Sequence, residues 1–337
     1  MSRTDRATAA FASGELAAPE AGDVLLIRAA TPALAEALPH DRLLFEQSFK
    51  PAHDTLAAAG LRVTIRAEKS AAMALVTLGR SRAENLGNLA RAIALTPPGA
   101  TIALDGAKTD GVDSLARQVG AVLPLSGSFS KAHGKVVSLI RPEAPPPEVA
   151  AWDAAAAPAR NAAGFLTAPG LFSADAPDPG SVRLAEAFAG RLSGRVADLG
   201  AGWGWLAAQA LAACPGIAAL DLFEAEARAL DCARVNVPDP RAAFHWSDVT
   251  RLGRRDGPFD AAICNPPFHE GRAAEPGLGA GFVAAAARIL KPAGRLFLVA
   301  NRQLPYEAPL AAAFARAEKL AEDGGFKVYL ADRPRRA

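Results

Sequence analysis

The sequence predicts an α/β protein of two tandem Rossmann-like domains, the first a degenerate copy of the second. Three observations carry that reading. The chain has 337 residues, room for two domains of about 150 each. Apolar strands alternate with helices of about ten residues, the rhythm of a parallel sheet with helical crossovers. One strand–helix–turn–strand unit also occurs twice. In the first half it is Ala74-Leu-Val-Thr77, a helix over 83–95, Pro97-Pro-Gly-Ala100 and Thr101-Ile-Ala-Leu104. In the second it is Ala262-Ile-Cys264, a helix over 281–290, Lys291-Pro-Ala-Gly294 and Leu296-Phe-Leu-Val299, with an extra loop.

The elements follow in order. Residues 23–27 and 61–65 look like strands. After the first repeat unit, Arg141-Pro-Glu-Ala-Pro-Pro-Pro-Glu148 packs four prolines where neither a helix nor a central strand can continue. It reads as a stiff linker, followed by an irregular Ala-rich connector to about residue 180. The expected division is a first domain over 1–141, a linker over 142–160 and a second domain over 161–337. In the second domain, 195–198 is a strand ending in Asp198, and 205–213 is a helix closed by Pro215-Gly216. Residues 217–223 form a strand running into Glu224, and 225–234 a helix. Residues 259–264 form a buried strand ending at Asn265, and 295–300 another.

Composition bounds the rest. Half the residues are hydrophobic, enough for two cores. Lys and Arg number 37 against 35 Asp and Glu, a net charge of +2. That balance does not announce a nucleic-acid binder, because phosphate affinity rests on a local patch. Cys214, Cys232 and Cys264 show no C-x-x-C spacing, and His40, His53, His133, His245 and His269 are scattered. Neither a disulfide framework nor a metal site fits. No apolar run has the length of a membrane span, and the N-terminus has no signal-type apolar core. The expectation is a soluble, reduced, cytoplasmic monomer without metal.

Four motifs carry chemistry. Asp198-Leu-Gly200-Ala-Gly202-Trp-Gly204 follows a strand and opens a helix. Its glycines allow a tight turn and close approach of backbone to ligand. Such spacing serves nicotinamide, flavin and S-adenosylmethionine (AdoMet) alike. The carboxylate at the strand end favours AdoMet, whose amino-acid tail carries an ammonium, over a pyrophosphate. Glu224 stands where ribose hydroxyls are received, with Asp221 as its neighbouring rival. Asp248, in Ser247-Asp-Val249, can accept from an adenine amino group or simply cap a helix. The fourth motif, Asn265-Pro-Pro-Phe268, lies at the C-terminal end of a buried strand, where α/β folds bind ligands. The prolines fix φ. The carbonyls of Asn265 and Pro266 can accept both hydrogens of a planar amino group, and Phe268 offers a face for a base.

With these motifs together, the sequence resembles a class I AdoMet-dependent methyltransferase of the N-P-P-[FYW] type, and most closely the bacterial ribosomal RNA small subunit methyltransferase C family. Further segments carry the resemblance: Ala168-Pro-Gly-Leu-Phe-Ser173 with Gly180-Ser181, His269-Glu-Gly271, Val299-Ala-Asn-Arg-Gln-Leu-Pro-Tyr306 and Phe326-Lys-Val-Tyr329. The resemblance implies a guanine-N2 methyltransferase acting on ribosomal RNA or a ribosomal subunit. By it, Asp198, Gly200, Gly202 and Glu224 contact AdoMet, Asp248 lies near its adenine, and Asn265, Pro266 and Phe268 hold the base. His269 belongs to the longer motif, and Arg302 approaches RNA or serves the surface. The first domain implied is a degenerate methyltransferase fold that engages RNA or supports folding. It has only residues 23–30 where the glycine loop belongs and Thr77-Leu-Gly-Arg80 in place of Asn-Pro-Pro-Phe.

Other readings stay open at this point. The guanine can belong to large-subunit RNA, and the same tetrapeptide serves DNA adenine-N6 and protein glutamine-N5 methylation. A non-enzymatic RNA-binding assembly factor is the remaining alternative.

Overall fold

In the computed structural model, residues 6–267, 269–270, 273–274 and 276–335 are described. The chain divides into two compact units. One comprises the chain up to Pro158 with Ala168–Gly170, the other Ala159–Thr167 with the chain from Leu171 onward.

Each unit is built on a seven-stranded sheet, and both sheets have the same order. In the first, the spatial order is Arg62–Thr64, Leu43–Glu46, Val24–Ile27, Met73–Thr77, Thr101–Ala107, Gly134–Ile140, Leu125–Lys131. In the second it is Ala242–Trp246, Ile217–Glu224, Gly194–Leu199, Phe259–Cys264, Leu290–Asn301, Phe326–Pro334, Phe314–Asp323. The first five strands of each sheet run parallel. The last two are antiparallel, and the final strand in sequence inserts beside the fifth. Two identical strand orders in one chain are the duplication that the internal repeat predicts. The central strands are buried on both faces, as parallel sheets under helices require.

The stretch expected as a linker folds otherwise. Pro147–Ala156 is a helix with Pro146 at its N-cap and Pro147 in its first turn. Proline is favoured there because its missing N–H would have no partner anyway. The alanines that follow propagate the helix. Val149 and Trp152 are buried in the first unit's core, and a Cβ on Gly87 would collide with Ala156. The helix is therefore part of the first unit. Smaller differences lie at boundaries: the helix expected over 281–290 spans Pro276–Ile289. The Lys291-Pro-Ala-Gly294 turn interrupts the register between Phe259↔Leu290 and Ala261↔Arg295.

The fold fixes where ligands can go. In both sheets the order reverses beside the first strand, and the crevice outside the strands' C-terminal ends is the binding position of such folds.

Candidate active site

The described cleft at the second sheet's C-terminal edge is lined by the glycine loop, the helix opening at Pro179, and Asn265. The loop leaves the strand Gly194–Leu199 and feeds the helix Trp205–Ala213. Gly202, at φ +55, has open space where a Cβ would stand, so a ligand can approach its backbone. Gly204, at φ +87, packs where a Cβ would meet Ala233 and Val237. The loop thus needs one glycine for access and another for helix packing. Trp203 anchors it, donating from Nε1 to the Phe172 carbonyl at 2.9 Å and lying 5.4 Å from the Phe165 ring.

Asp198 is the penultimate residue of the strand Gly194–Leu199. It is fully buried, and neither carboxylate oxygen has a hydrogen-bond partner. Burial, and secondarily the Glu224 charge, push its pKa up to about 8. The Ala207 N–H at the helix start tempers the rise without forming a proper hydrogen bond. Uncompensated buried carboxylates are rare because an isolated charge is poorly tolerated in a low dielectric. A cationic group reaching Asp198 would supply what the protein withholds.

Glu224 is half-buried at the end of the second strand. Its Oε2 accepts from Gly202 N at 2.8 Å and its Oε1 from Glu226 N at 2.7 Å. Burial raises its pKa, while those N–H donors act against the rise. Each oxygen keeps a lone pair for a hydroxyl donor. Asp221 is committed elsewhere: Arg195 grips it at 3.0 and 3.2 Å, and His245 lies 2.7 Å away. These partners hold its pKa down against its burial. Asp248 caps the turn Val249–Arg251, its Oδ1 accepting from Thr250 N at 2.9 Å and Thr250 Oγ1 at 2.6 Å. Beside it, the buried Ser247 Oγ lacks a partner.

Asn265 follows the strand Phe259–Cys264. Its Nδ2 donates to Asp178 Oδ2 at 2.9 Å and to Ser181 Oγ at 2.8 Å. Its Oδ1 is buried and has no partner. Leaving a buried acceptor unsatisfied costs about 1–3 kcal/mol, so the site holds it ready for a donor it does not contain. Pro266 is buried and Pro267 exposed. Phe268 lies outside the described residues. His269–Glu270 pairs with Ala273–Ala274 in a short antiparallel hairpin. Arg302 is exposed, and its N–H donates to Gly325 O at 2.7 Å.

Asp198, Gly200, Gly202, Glu224 and Asn265 thus converge at one sheet edge. Asp198 and Asn265 offer acceptors without partners, and Glu224 offers spare lone pairs, a donor-poor set compatible with AdoMet and an amino-bearing base. Sequence reasoning took in Phe172 and Ser181 only as parts of segments that carry the resemblance, with no role at the site, and missed Asp178. Asp178-Pro179 was recognisable as an N-cap followed by a first-turn proline. Its meeting with Asn265, 87 positions away, was not. Phe172, 58% exposed, also lines the cleft.

Comparison with known proteins gives the family. Residues 162–330 match the family model described as methyltransferase small domain. The Sodalis glossinidius ribosomal RNA small subunit methyltransferase C is 32% identical over 259 residues, covering 75% of this chain and 71% of that one. The Pectobacterium atrosepticum protein of the same name is 36% identical over 171 residues, covering 49% and 47%. That match spans about half the relative's length. The same fold occurs in the T. thermophilus 16S rRNA N2 G1207 methyltransferase, solved with AdoMet and guanosine. The TM-score is 0.78 at 24% identity, covering 98% of this chain and 92% of that one. The chain belongs to the ribosomal RNA small subunit methyltransferase C family.

Proposed function

We propose that this chain methylates the N2 amino group of a guanine in small-subunit ribosomal RNA. The observation that carries the reading is the buried, unpartnered Oδ1 of Asn265 beside the glycine loop. The neutral donor it awaits is a planar amino group. AdoMet, when bound, supplies a methyl group on sulfonium. Asp198 receives the ammonium of its amino-acid tail, Glu224 the ribose hydroxyls, and the Gly200–Gly202 backbone leaves room for the methionine part. Asn265 Oδ1 and the Pro266 carbonyl accept the two amino hydrogens of the target. Those bonds fix the nitrogen's orientation and turn its lone pair toward the methyl. Positioning and fixed dipoles then supply the catalysis of an in-line displacement. The chemistry AdoMet would supply is passage of its methyl to the amino nitrogen, with sulfur keeping the carbon–sulfur electron pair as a neutral thioether and the nitrogen's surplus proton passing to water.

The first unit, in this reading, engages RNA or supports folding, and binds no cofactor. The protein works in the cytoplasm as a monomer. Among the described residues no helix is long and apolar enough to cross a membrane. The test is mass spectrometry of ribosomal RNA nucleosides from cells with and without this protein. Loss of one N2-methylguanosine from small-subunit RNA supports the reading. Loss from large-subunit RNA, or from none, contradicts it.

A further inference from the structure

We infer that Asp178 and Ser181 are positioning residues that set and polarise the Asn265 amide. The inference rests on the proposed role of Asn265. An asparagine amide can present oxygen or nitrogen to a substrate, and only the oxygen can accept an amino hydrogen. Asp178 decides which. Its Oδ2 accepts from Ser181 N at 2.8 Å and from Asn265 Nδ2 at 2.9 Å. An ionised carboxylate cannot donate, so the nitrogen must face it and Oδ1 must face away. Ser181 Oγ takes the other Nδ2 hydrogen at 2.8 Å. Both amide hydrogens are then occupied, and the amide cannot rotate without breaking two bonds.

The carboxylate also works through the amide. A hydrogen bond to a charged acceptor draws the N–H outward and shifts electron density toward Oδ1. That makes Oδ1 a stronger acceptor for the amino group. Asp178 is itself held. It caps the helix Pro179–Phe188, whose N-terminal dipole favours a negative charge there. The sequence Asp178-Pro-Gly-Ser181 therefore places two acceptors against Asn265 from one helix start.

The test compares Asp178→Asn, Ser181→Ala and Asn265→Ala in the full chain. The readouts are single-turnover methyl transfer at saturating AdoMet, AdoMet affinity by calorimetry, and thermal melting. Asparagine caps helices as well as aspartate, so Asp178→Asn keeps the cap and lowers the melting temperature only slightly, by the lost charge–dipole term. It removes the charge and permits the flipped amide. The expected result is a rate lowered about 10- to 100-fold with AdoMet affinity unchanged. Ser181→Ala gives a smaller loss, because Asp178 still holds one hydrogen. In the Asn265→Ala background, Asp178→Asn has no further effect, since it acts through that amide. A wild-type rate for Asp178→Asn, a loss confined to AdoMet affinity, or a full additional loss on top of Asn265→Ala would each overturn the inference. If Asn265→Ala is itself fully active, the proposed function fails. If Asn265→Ala is inactive and Asp178→Asn is active, only this inference fails.

Discussion

The two halves of the chain offer the same strand ends to different chemistry. Backbone hydrogen bonds align them. Arg28 N donates to Glu46 O in the first unit as Gly200 N donates to Phe223 O in the second, both at 2.9 Å. Arg28 adopts φ +65 where Gly200 adopts +78. Aligned in this way, the first unit has Leu26 at the Asp198 position, Gln47 at the Glu224 position and Thr77 at the Asn265 position. Gln47 keeps half of the Glu224 geometry. Its Oε1 accepts from Phe49 N at 3.0 Å, two residues on, as Glu224 Oε1 accepts from Glu226 N. The other half is inverted. Gln47 Nε2 donates to the Ala29 carbonyl at 3.0 Å, whereas Glu224 Oε2 accepts from Gly202 N. The Arg28 side chain reaches Ser48 Oγ at 2.9 Å and lies 3.7 Å from Glu84. In the first unit Gln47 and Arg28 bond to that unit's own residues. The second leaves acceptors open at Asp198, Ser247 and Asn265. One fold thus carries internally paired groups in its first copy and open acceptors in its second.

The largest expected effect is at Asn265. Asn265→Ala should lower the methyl-transfer rate by about 10²-fold or more with AdoMet affinity unchanged. Thr77→Ala, at the aligned position, should alter neither. Near-normal turnover of Asn265→Ala would erase the functional difference between the halves.

Asp198 comes next. Its folded pKa is raised, so the free protein is destabilised as pH rises from the ordinary carboxylate range toward about 8, and the penalty is absent at lower pH. Asp198→Asn should remove that slope. It should also weaken AdoMet about tenfold or more, by deleting a charge-assisted bond. Burial favours the protonated form of Asp198, and an arriving ammonium should expel that proton. Calorimetry in buffers of different ionisation enthalpy should show proton release on AdoMet binding, lost in Asp198→Asn. Equal proton release by both proteins would assign the ammonium elsewhere.

A smaller effect is expected from charge reversal at Arg80 and Arg82, which are exposed in the first unit. Activity on ribosomal substrate should fall several-fold, by roughly the phosphate contacts removed, and the deficit should shrink as salt rises. A salt-independent deficit would favour folding support over RNA engagement. The smallest effect is at Arg28. Arg28→Ala keeps a left-handed residue and loses the Ser48 bond. Stability should drop by about 1–2 kcal/mol in denaturant melts, with AdoMet binding untouched.

Much of this was legible in the sequence because it is local. The glycine loop, the buried strand before Asn265 and the helix Trp205–Ala213 follow from short-range patterns. The repeat exposed the duplication because turn residues recur at fixed offsets. What escaped were long-range pairings. The hairpins that finish each sheet carry exposed edge strands such as Leu125–Lys131, with little apolar alternation. The strand Leu43–Glu46 is only four residues long. Pro146-Pro147 read as a break, yet proline at a helix start is compatible with the helix that follows. Gln47 carries no local sequence signal, and only its two backbone partners align it with Glu224.

The most direct test of the central claim is AdoMet titration of the full chain by calorimetry. One site per chain is expected in the wild type, and none in a variant carrying Asp198→Ala with Gly202→Val. Two sites in the wild type, or binding retained in that variant, would contradict the account.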